Sequence, residues 1–210
     1  MIRVLIADDH PIIREGLTRI VQESPDLKVV GEARDGHEAL DLVRRVLADV
    51  ILLDIGMPGP GIFDLMTQIR GERPNLPVLI LSVYPEEQYA IRLLRLGASG
   101  YLTKDHSPDE LVSAVRRVAA GRKYISPSLA EVLATQLDVD AGAPPHEVLS
   151  DREFQVLVSL ANGQTVTEIA RELELSPKTV STYRSRILKK MGLSSSADLI
   201  RYALEHNLTG

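Results

Sequence analysis

VLIADDHPI, residues 4–12, runs from an aliphatic stretch straight into two adjacent carboxylates, Asp8 and Asp9. The aliphatic part shows no polar alternation, as expected of a strand covered on both faces, and the charges fall where that strand must end. Working outward, strand-like runs occur at RVLIA (3–7), LKVVGEA (27–33), DVILLD (49–54), PVLILS (77–82) and SGYLT (99–103). Patterns of helical length and period fill the intervals, near 11–24, 36–47, 62–72, 86–96 and 107–121. Strict alternation of this kind specifies an α/β fold, a five-stranded doubly wound parallel sheet, because parallel neighbours require crossover helices. Helix-end signals agree. Pro11 suits a first turn, Ser107-Pro108-Asp109-Glu110 reads as a cap with an acidic first turn, and Gly97 and Gly121 suit helix stops.

At 210 residues the chain accommodates two small domains, each able to bury its own core. The character changes after residue 121. SPSLAEVLATQL (126–137) can form a short helix, and DVDAGAPPHE (138–147) has the Pro and Gly content of a solvated linker. From Leu149 the pattern is all helix, near 150–161, 165–173, 176–191 and 196–207, with breaks at Asn162-Gly163 and Gly192. The expected division is therefore 1–121, a linker at 122–148, and a small all-α four-helix domain at 149–210.

The chain has no Cys, which removes disulfides, thiolate nucleophiles and Cys-ligated metal sites. No segment approaches the ~18 to 20 apolar residues of a membrane span, and the first apolar run is too short for a signal peptide, so a cytoplasmic location is expected. The formal net charge of −5 argues against nonspecific nucleic-acid binding by the whole chain, but the charge is divided. No Lys or Arg lies between Lys123 and Arg152, whereas Lys178, Arg184, Arg186, Lys189 and Lys190 share one segment without acidic residues.

In open parallel sheets the functional crevice lies beyond the carboxyl ends of the strands. Asp8 and Asp9 follow the first strand, Asp54 ends the third, Ser82 ends the fourth, and Lys104 lies just past the fifth. Carboxylates gathered there repel one another, and a hard divalent cation with oxygen ligands compensates them; Mg2+ fits best because it shares its coordination with phosphate oxygens. A cation also neutralises an approaching phosphoryl group, so one carboxylate can act as nucleophile. Lys104 offers a point charge to a phosphoryl oxygen and Ser82 a hydroxyl donor. The set describes phosphoryl transfer to an Asp.

ADDH (7–10), LLDIGMP (52–58), ILSVY (80–84) and GASGYLTKD (97–105) resemble, in order and spacing, the motifs of a two-component response-regulator receiver domain, over about residues 1–121. The resemblance implies a flavodoxin-like receiver with Asp54 as phosphoacceptor. It also implies Asp8, Asp9, Asp54 and the Gly56 backbone carbonyl around Mg2+, Asp9 binding directly and Asp8 through water, with Ser82 and Lys104 on the phosphoryl group. Ser82 and Tyr101 would form a switch, the hydroxyl moving toward the phosphoryl oxygens and vacating space for the ring. Two features stand apart. The family usually has Gly eight residues after the phosphoacceptor, where this chain has Ile62 preceded by Gly59 and Gly61, so a remodelled loop is expected. Gly56 leaves no side chain over the acceptor, which predicts easy water access and fast self-dephosphorylation.

TVTEIARELELSPKTVSTYRSRILKKMG (165–192) holds two helix patterns joined at Glu174-Leu175-Ser176-Pro177, a helix-turn-helix unit. Val166, Ile169, Ala170 and Leu173 should face inward from the first helix, and Val180, Ile187, Leu188 and Met191 from the second. The opposite face of the second helix carries hydroxyls that can read base edges and Lys that can pair with phosphates. The candidate DNA contacts are Lys178, Thr179, Ser181, Thr182, Ser185, Lys189 and Lys190, with Ser181, Thr182 and Ser185 as base readers. LSDREFQVLVSLANG (149–163), EIARELELSPKTVSTYRSRILKKMG (168–192) and SADLIRYAL (196–204) resemble the LuxR-type DNA-binding domain of the NarL/FixJ subfamily. Val166 stands where that family often has Asn, and Tyr183 where it often has His. The resemblance further implies dimerisation through the last helix, around Leu199, Tyr202 and Ala203, although packing within one domain explains the same residues.

The expected function is a transcriptional response regulator, not an enzyme, phosphorylated on Asp54 by a sensor histidine kinase and binding a dyad-related promoter site as a homodimer. Two alternatives stand beside it. One is a phosphorylation-independent dimeric regulator, which the intact carboxylate set opposes. The other is a Mg2+-dependent phosphatase with an Asp nucleophile, which would need an acid or base two residues after Asp54, where this chain has Gly56.

Overall fold

The computed structural model describes residues 1–83, 86–137 and 144–209, with the side chains of 86–88, 132 and 134–137 left aside. Tyr84 of the ILSVY motif and residues 138–143 of the expected linker lie outside the described residues. The chain divides into two compact units, Met1–Ala130 and Glu131–Gly210.

In the first unit, strands β1 (Ile2–Ala7), β2 (Leu27–Ala33), β3 (Val50–Asp54), β4 (Val78–Ser82) and β5 (Gly100–Thr103) form one parallel sheet in the order β2-β1-β3-β4-β5. They alternate with helices α1 (Pro11–Gln22), α2 (Gly36–Arg45), α3 (Ile62–Glu72), α4 (Glu86–Arg95) and α5 (Pro108–Ala119). Every residue of β3 and β4 is buried, which is why VILLD and VLILS carry no polar alternation. The core on one face joins Val4, Ile6, Leu52, Leu79 and Leu102 to Val21 and to Leu111, Val115 and Val118 of α5. Burying a side chain of this size contributes about 1.5–3 kcal/mol, so the sheet is the main store of stability in this unit.

Two sequence features decide how the chain enters its helices. Pro11 occupies the first turn of α1, and the Ser107 side chain accepts a hydrogen bond from the Glu110 backbone N–H at 3.3 Å to cap α5. The departure at Ile62 is accommodated at a helix boundary: Gly61 is the N-cap of α3, Ile62 begins the helix and is 1% exposed, and Gly59 makes the preceding turn at φ +110°. Helix α6 (Pro127–Leu137) follows, its start fixed by the Ser126 hydroxyl accepting from the Leu129 N–H at 3.0 Å.

The second unit holds α7 (Asp151–Ala161), α8 (Val166–Glu172), α9 (Pro177–Met191) and α10 (Ser196–Glu205), preceded by a 3-10 turn at Pro145–Val148. Reciprocal capping boxes start α7 (Ser150 with Glu153) and α8 (Thr165 with Glu168), and Ser176 caps α9 through the Thr179 N–H at 3.1 Å. Gly192 ends α9 in the left-handed region at φ +67°. Ile169, Ala170, Leu173, Val180, Ile187 and Met191 pack inward as the pattern requires, whereas Val166 and Leu188 are only half-buried.

Candidate phosphoryl site and nucleic-acid interface

The strand order reverses around β1, so the crevice opens between the carboxyl ends of β1 and β3, where the sequence places Asp8, Asp9 and Asp54. Asp8 is completely buried and Asp54 is 4% exposed. Lys104, carried past β5 by the backbone hydrogen bond from its N–H to the Ser82 carbonyl at 2.7 Å, sends its ammonium between them. The Lys104 Nζ lies 2.7 Å from Asp8 Oδ2 and 3.0 Å from Asp54 Oδ1.

One ammonium does not balance this cluster. Burial pushes the Asp54 carboxyl above its ordinary range; Lys104 pulls it down, the neighbouring Asp8 charge raises it again, and a hydrogen bond from the Gly56 backbone lowers it, with a net rise. Asp8 Oδ2 and Asp9 Oδ1 are buried and receive no hydrogen bond of acceptable geometry, although the Lys104 and His10 nitrogens stand 2.7 and 2.8 Å away. Buried carboxylate oxygens without a hydrogen bond are costly, and a hard cation satisfies them with the ligand type it prefers. One ligand atom from each of Asp8, Asp9, His10 and Asp54 falls within 4.8 Å of the others. The donor set therefore fits a divalent ion. His10 was not singled out from the sequence beyond its place in ADDH, because an imidazole in a loop gives no pattern.

The remaining predicted residues surround this cluster. Ser82 is fully buried at the end of β4, paired in register with Thr103. Gly56 is exposed beside Asp54, and a side chain there would meet nothing nearer than Asp54 Oδ2 at 3.8 Å. Tyr101 is 0% exposed on β5, so its ring is already in the inward position.

In the second unit, Lys178, Thr182, Ser185, Lys189 and Lys190 are exposed on α9, and Thr179 and Ser181 are half-exposed. The Thr182 hydroxyl donates to the Lys178 carbonyl at 2.9 Å and the Ser185 hydroxyl to the Ser181 carbonyl at 3.1 Å. With their protons spent on the helix, both oxygens face outward as acceptors, which suits the amino groups of adenine and cytosine. Thr179 is partly engaged at the cap, its hydroxyl 2.8 Å from that of Ser176. Lys190 is also committed within the domain, since its Nζ lies 2.6 Å from Oε2 of Glu153, a carboxylate only 4% exposed.

Of the two readings open for the last helix, packing within one domain accounts for Leu199 and Ala203. Leu199 and Ala203 are 0% exposed in the core of the helical unit, so their side chains are spent on packing within one chain. Tyr202 is half-buried, its hydroxyl 2.8 Å from His146 Nδ1 in the 3-10 turn. The apolar side chains that α10 leaves exposed are Ile200 and Leu204. A single amphipathic pattern cannot tell the two faces apart, because helical residues one position apart differ by only about 100° in direction.

Fold and site together define a response-regulator receiver coupled to a helix-turn-helix unit. Residues 4–116 match the family model of the response regulator receiver domain, and residues 147–203 match that of the bacterial regulatory proteins of the luxR family. The chain belongs to this family, as a response regulator of the NarL/FixJ type. Among its relatives is the response regulator GacA of Pseudomonas aeruginosa, 39% identical over 99% of this chain and 98% of the relative. The response regulator UvrY of Escherichia coli is 37% identical over 99% and 96%. Among solved structures, RcsB from Salmonella enterica serovar Typhimurium, bound to promoter rprA in the presence of phosphomimetic BeF3-, has a TM-score of 0.71 at 28% identity, covering 96% of this chain and 97% of that one.

Proposed function

We propose that this protein is a cytoplasmic transcription regulator whose Asp54 accepts a phosphoryl group from a sensor histidine kinase, and whose α9 then reads promoter DNA in a homodimer. The observation that carries the reading is Lys104 bridging buried Asp8 and Asp54 at 2.7 and 3.0 Å within a cluster of three carboxylates. Asp8, Asp9, Asp54 and the Gly56 carbonyl would hold Mg2+. The ion, when bound, supplies positive charge to the phosphoryl oxygens. An Asp54 oxygen attacks phosphorus in line, a new O–P bond forms, and the phosphorus–nitrogen bond to the donor imidazole breaks, its electron pair leaving on that nitrogen. Lys104 then pairs with a phosphoryl oxygen instead of the Asp54 carboxylate, and the Ser82 hydroxyl donates to another. Tyr101, inward on β5, reports the position of Ser82 to the surface formed by α4, β5 and α5.

Because Gly56 places no acid or base over the acceptor, the chemistry ends at the phosphoenzyme and water, without turnover of an external substrate. On the DNA side, Lys178 and Lys189 contact phosphates while Ser181, Thr182 and Ser185 read base edges, and dimer contacts involve the exposed Ile200 and Leu204. We take 1–121 as the receiver, 122–148 as connector and 149–210 as the DNA-binding domain. The deciding experiment measures promoter binding and oligomeric state with and without a small acyl phosphate plus Mg2+, for the natural protein and Asp54→Ala. The expected outcome is a phosphodonor response that the mutant loses; a response that persists in Asp54→Ala would overturn the reading.

A further inference from the structure

At the pole of the receiver opposite Asp54, the amino ends of β4 and β5 meet the end of α5 around a cleft of about 330 Å³. Arg70, Asn75, Ser99, Arg122 and Lys123 supply its polar lining, and none of its lining residues is acidic. Arg70 and Lys123 are held by backbone carbonyls, and among the described residues no carboxylate pairs with them. The Arg70 guanidinium donates to the carbonyls of Pro74 and Leu76, each at 2.8 Å, and to that of Gly97. The Lys123 ammonium donates to the next carbonyl along, that of Ala98. Gly97 sits at φ +99°, and any side chain on it would run into Arg70 Nε at 2.9 Å, so the chain keeps this position clear for the guanidinium. Arg70 Nε itself is buried without a hydrogen-bond partner. Behind the cleft, Arg117 Nε donates to the Lys123 carbonyl at 2.7 Å.

Two cations gripping consecutive carbonyls are an uncompensated arrangement. Burial pushes the Lys123 ammonium down from its ordinary range, the charge of Arg70 pushes it further, and burial lowers Arg70 as well. An anion in the cleft relieves both.

We propose that this cleft binds a small polyphosphate anion, gripped by Arg70, Arg122 and Lys123 with Asn75 and Ser99 as neutral donors. Di- or triphosphate fits better than a monoanion because three cations line one cavity, Arg70 and Lys123 acting mainly through their charge while the planar guanidinium of the exposed Arg122 meets phosphate oxygens in pairs. The cleft is concave, which suits a compact ligand better than the convex backbone of a DNA duplex. Arg122 and Lys123 open the segment leading to α6, so an occupied cleft fixes the base of the tether that carries the DNA-binding unit. The assignment stands independently of Asp54 phosphorylation.

The test is calorimetric titration of the full chain with inorganic pyrophosphate, in EDTA and without Mg2+, so that the phosphoacceptor cluster recruits no phosphate through a metal. The expected result is saturable one-to-one binding that weakens about tenfold in Arg122→Gln and again in Arg122→Gln/Lys123→Gln, as loss of one charge-assisted contact each predicts. Lys178→Gln/Lys189→Gln, which removes exposed charge from α9, should bind pyrophosphate as the natural protein does. Because Lys123 also holds a backbone carbonyl, the exposed Arg122→Gln is the primary variant, with an unchanged melting temperature as its control. Absence of saturable binding, equal affinity in Arg122→Gln, or loss that follows the α9 variant instead would each overturn the proposal. So would Arg122→Gln lowering the affinity for duplex DNA while leaving that for pyrophosphate untouched, which would make these cations contacts to the DNA backbone.

Discussion

At the scale of single residues, the receiver separates charges that do chemistry from charges that hold the fold. Asp49 belongs to the second kind. It takes hydrogen bonds from the Arg3 backbone at 2.8 Å and from the guanidinium at 2.7 and 3.0 Å, and the guanidinium bond, opposed by burial and helped by the Arg3 backbone and charge, holds its carboxyl at about 2. A folded pKa below the unfolded value of ~3.9 means stability that is complete above that value and lost as pH falls toward 2. Both side chains are more than a third exposed, at 41% and 34%, so screening by solvent keeps the contribution small. Urea unfolding of Asp49→Ala should show that deficit in full at about pH 6 and a clearly smaller one near pH 2.5, the remainder vanishing only below the folded pKa; a deficit independent of pH would assign the loss to packing. Gly56 carries the opposite lesson. With nothing but Asp54 Oδ2 within 4 Å of a side chain there, replacement by Gln or Met should lengthen the phosphoryl half-life several-fold, and an unchanged half-life would show that water reaches Asp54 by another route. The carboxylates and Lys104 were legible in the sequence because each sits at a strand end and strand ends converge. His10 as a ligand, the pairing of Lys190 with Glu153 and the carbonyl partners of Arg70 were not, since each depends on contacts that no local pattern records.

At the scale of elements, α8 and α9 are joined with a measurable defect. Glu174, between them, has φ +54°, a left-handed conformation that costs a non-glycine residue about 1 kcal/mol. Glu174→Gly should raise the stability of the helical unit by roughly 0.5–1 kcal/mol and leave DNA affinity nearly unchanged, since the residue lies outside the reading face; thermal melts and a DNA titration check the two halves separately. Lys190 and Lys189 are neighbours with different duties. Glu153 is buried, which alone would raise its carboxyl, but hydrogen bonds from Lys190 and from the Ser150 backbone and hydroxyl outweigh burial and hold it low. Lys190→Met therefore removes the counter-ion of a buried carboxylate and should cost about 2–3 kcal/mol of stability with a modest change in the salt dependence of DNA binding. Lys189→Met should do the reverse, lowering the salt slope by about one with little change in melting. If both variants moved the slope equally, the Glu153 pair would be an incidental contact. The sequence placed all these helices within a residue or two because caps and apolar period are local. For Leu199 and Ala203 it left packing and dimerisation both open because the inner and outer stripes of a short helix are both apolar, and the packing of α7 against α10 shows that these two side chains are covered within one chain.

At the scale of the whole molecule, the two units are stabilised by different means, and that difference can be used to test their independence. The first buries a mainly aliphatic sheet and carries a cluster of carboxylates short of positive charge; the second depends on four capped helices around a small core. The division between them falls inside α6, within the segment the sequence marks as connector by its change of composition. Anything that binds only one folded unit stabilises that unit by RT ln(1 + [L]/Kd), about 2.7 kcal/mol at a hundredfold excess over Kd, and leaves an uncoupled neighbour where it was. Scanning calorimetry of the full chain should accordingly resolve two transitions. Saturating Mg2+ should raise the receiver transition alone by several degrees, and Asp9→Asn should abolish that shift because it removes the carboxylate whose Oδ1 lacks a hydrogen-bond partner. Joint movement of both transitions would mean that the charge state of the Asp54 cluster is already communicated to the helical unit without a phosphoryl group. Movement of the receiver alone would place that communication in the phosphorylated state, where replacement of a carboxylate by a dianion changes what Lys104 and Ser82 face.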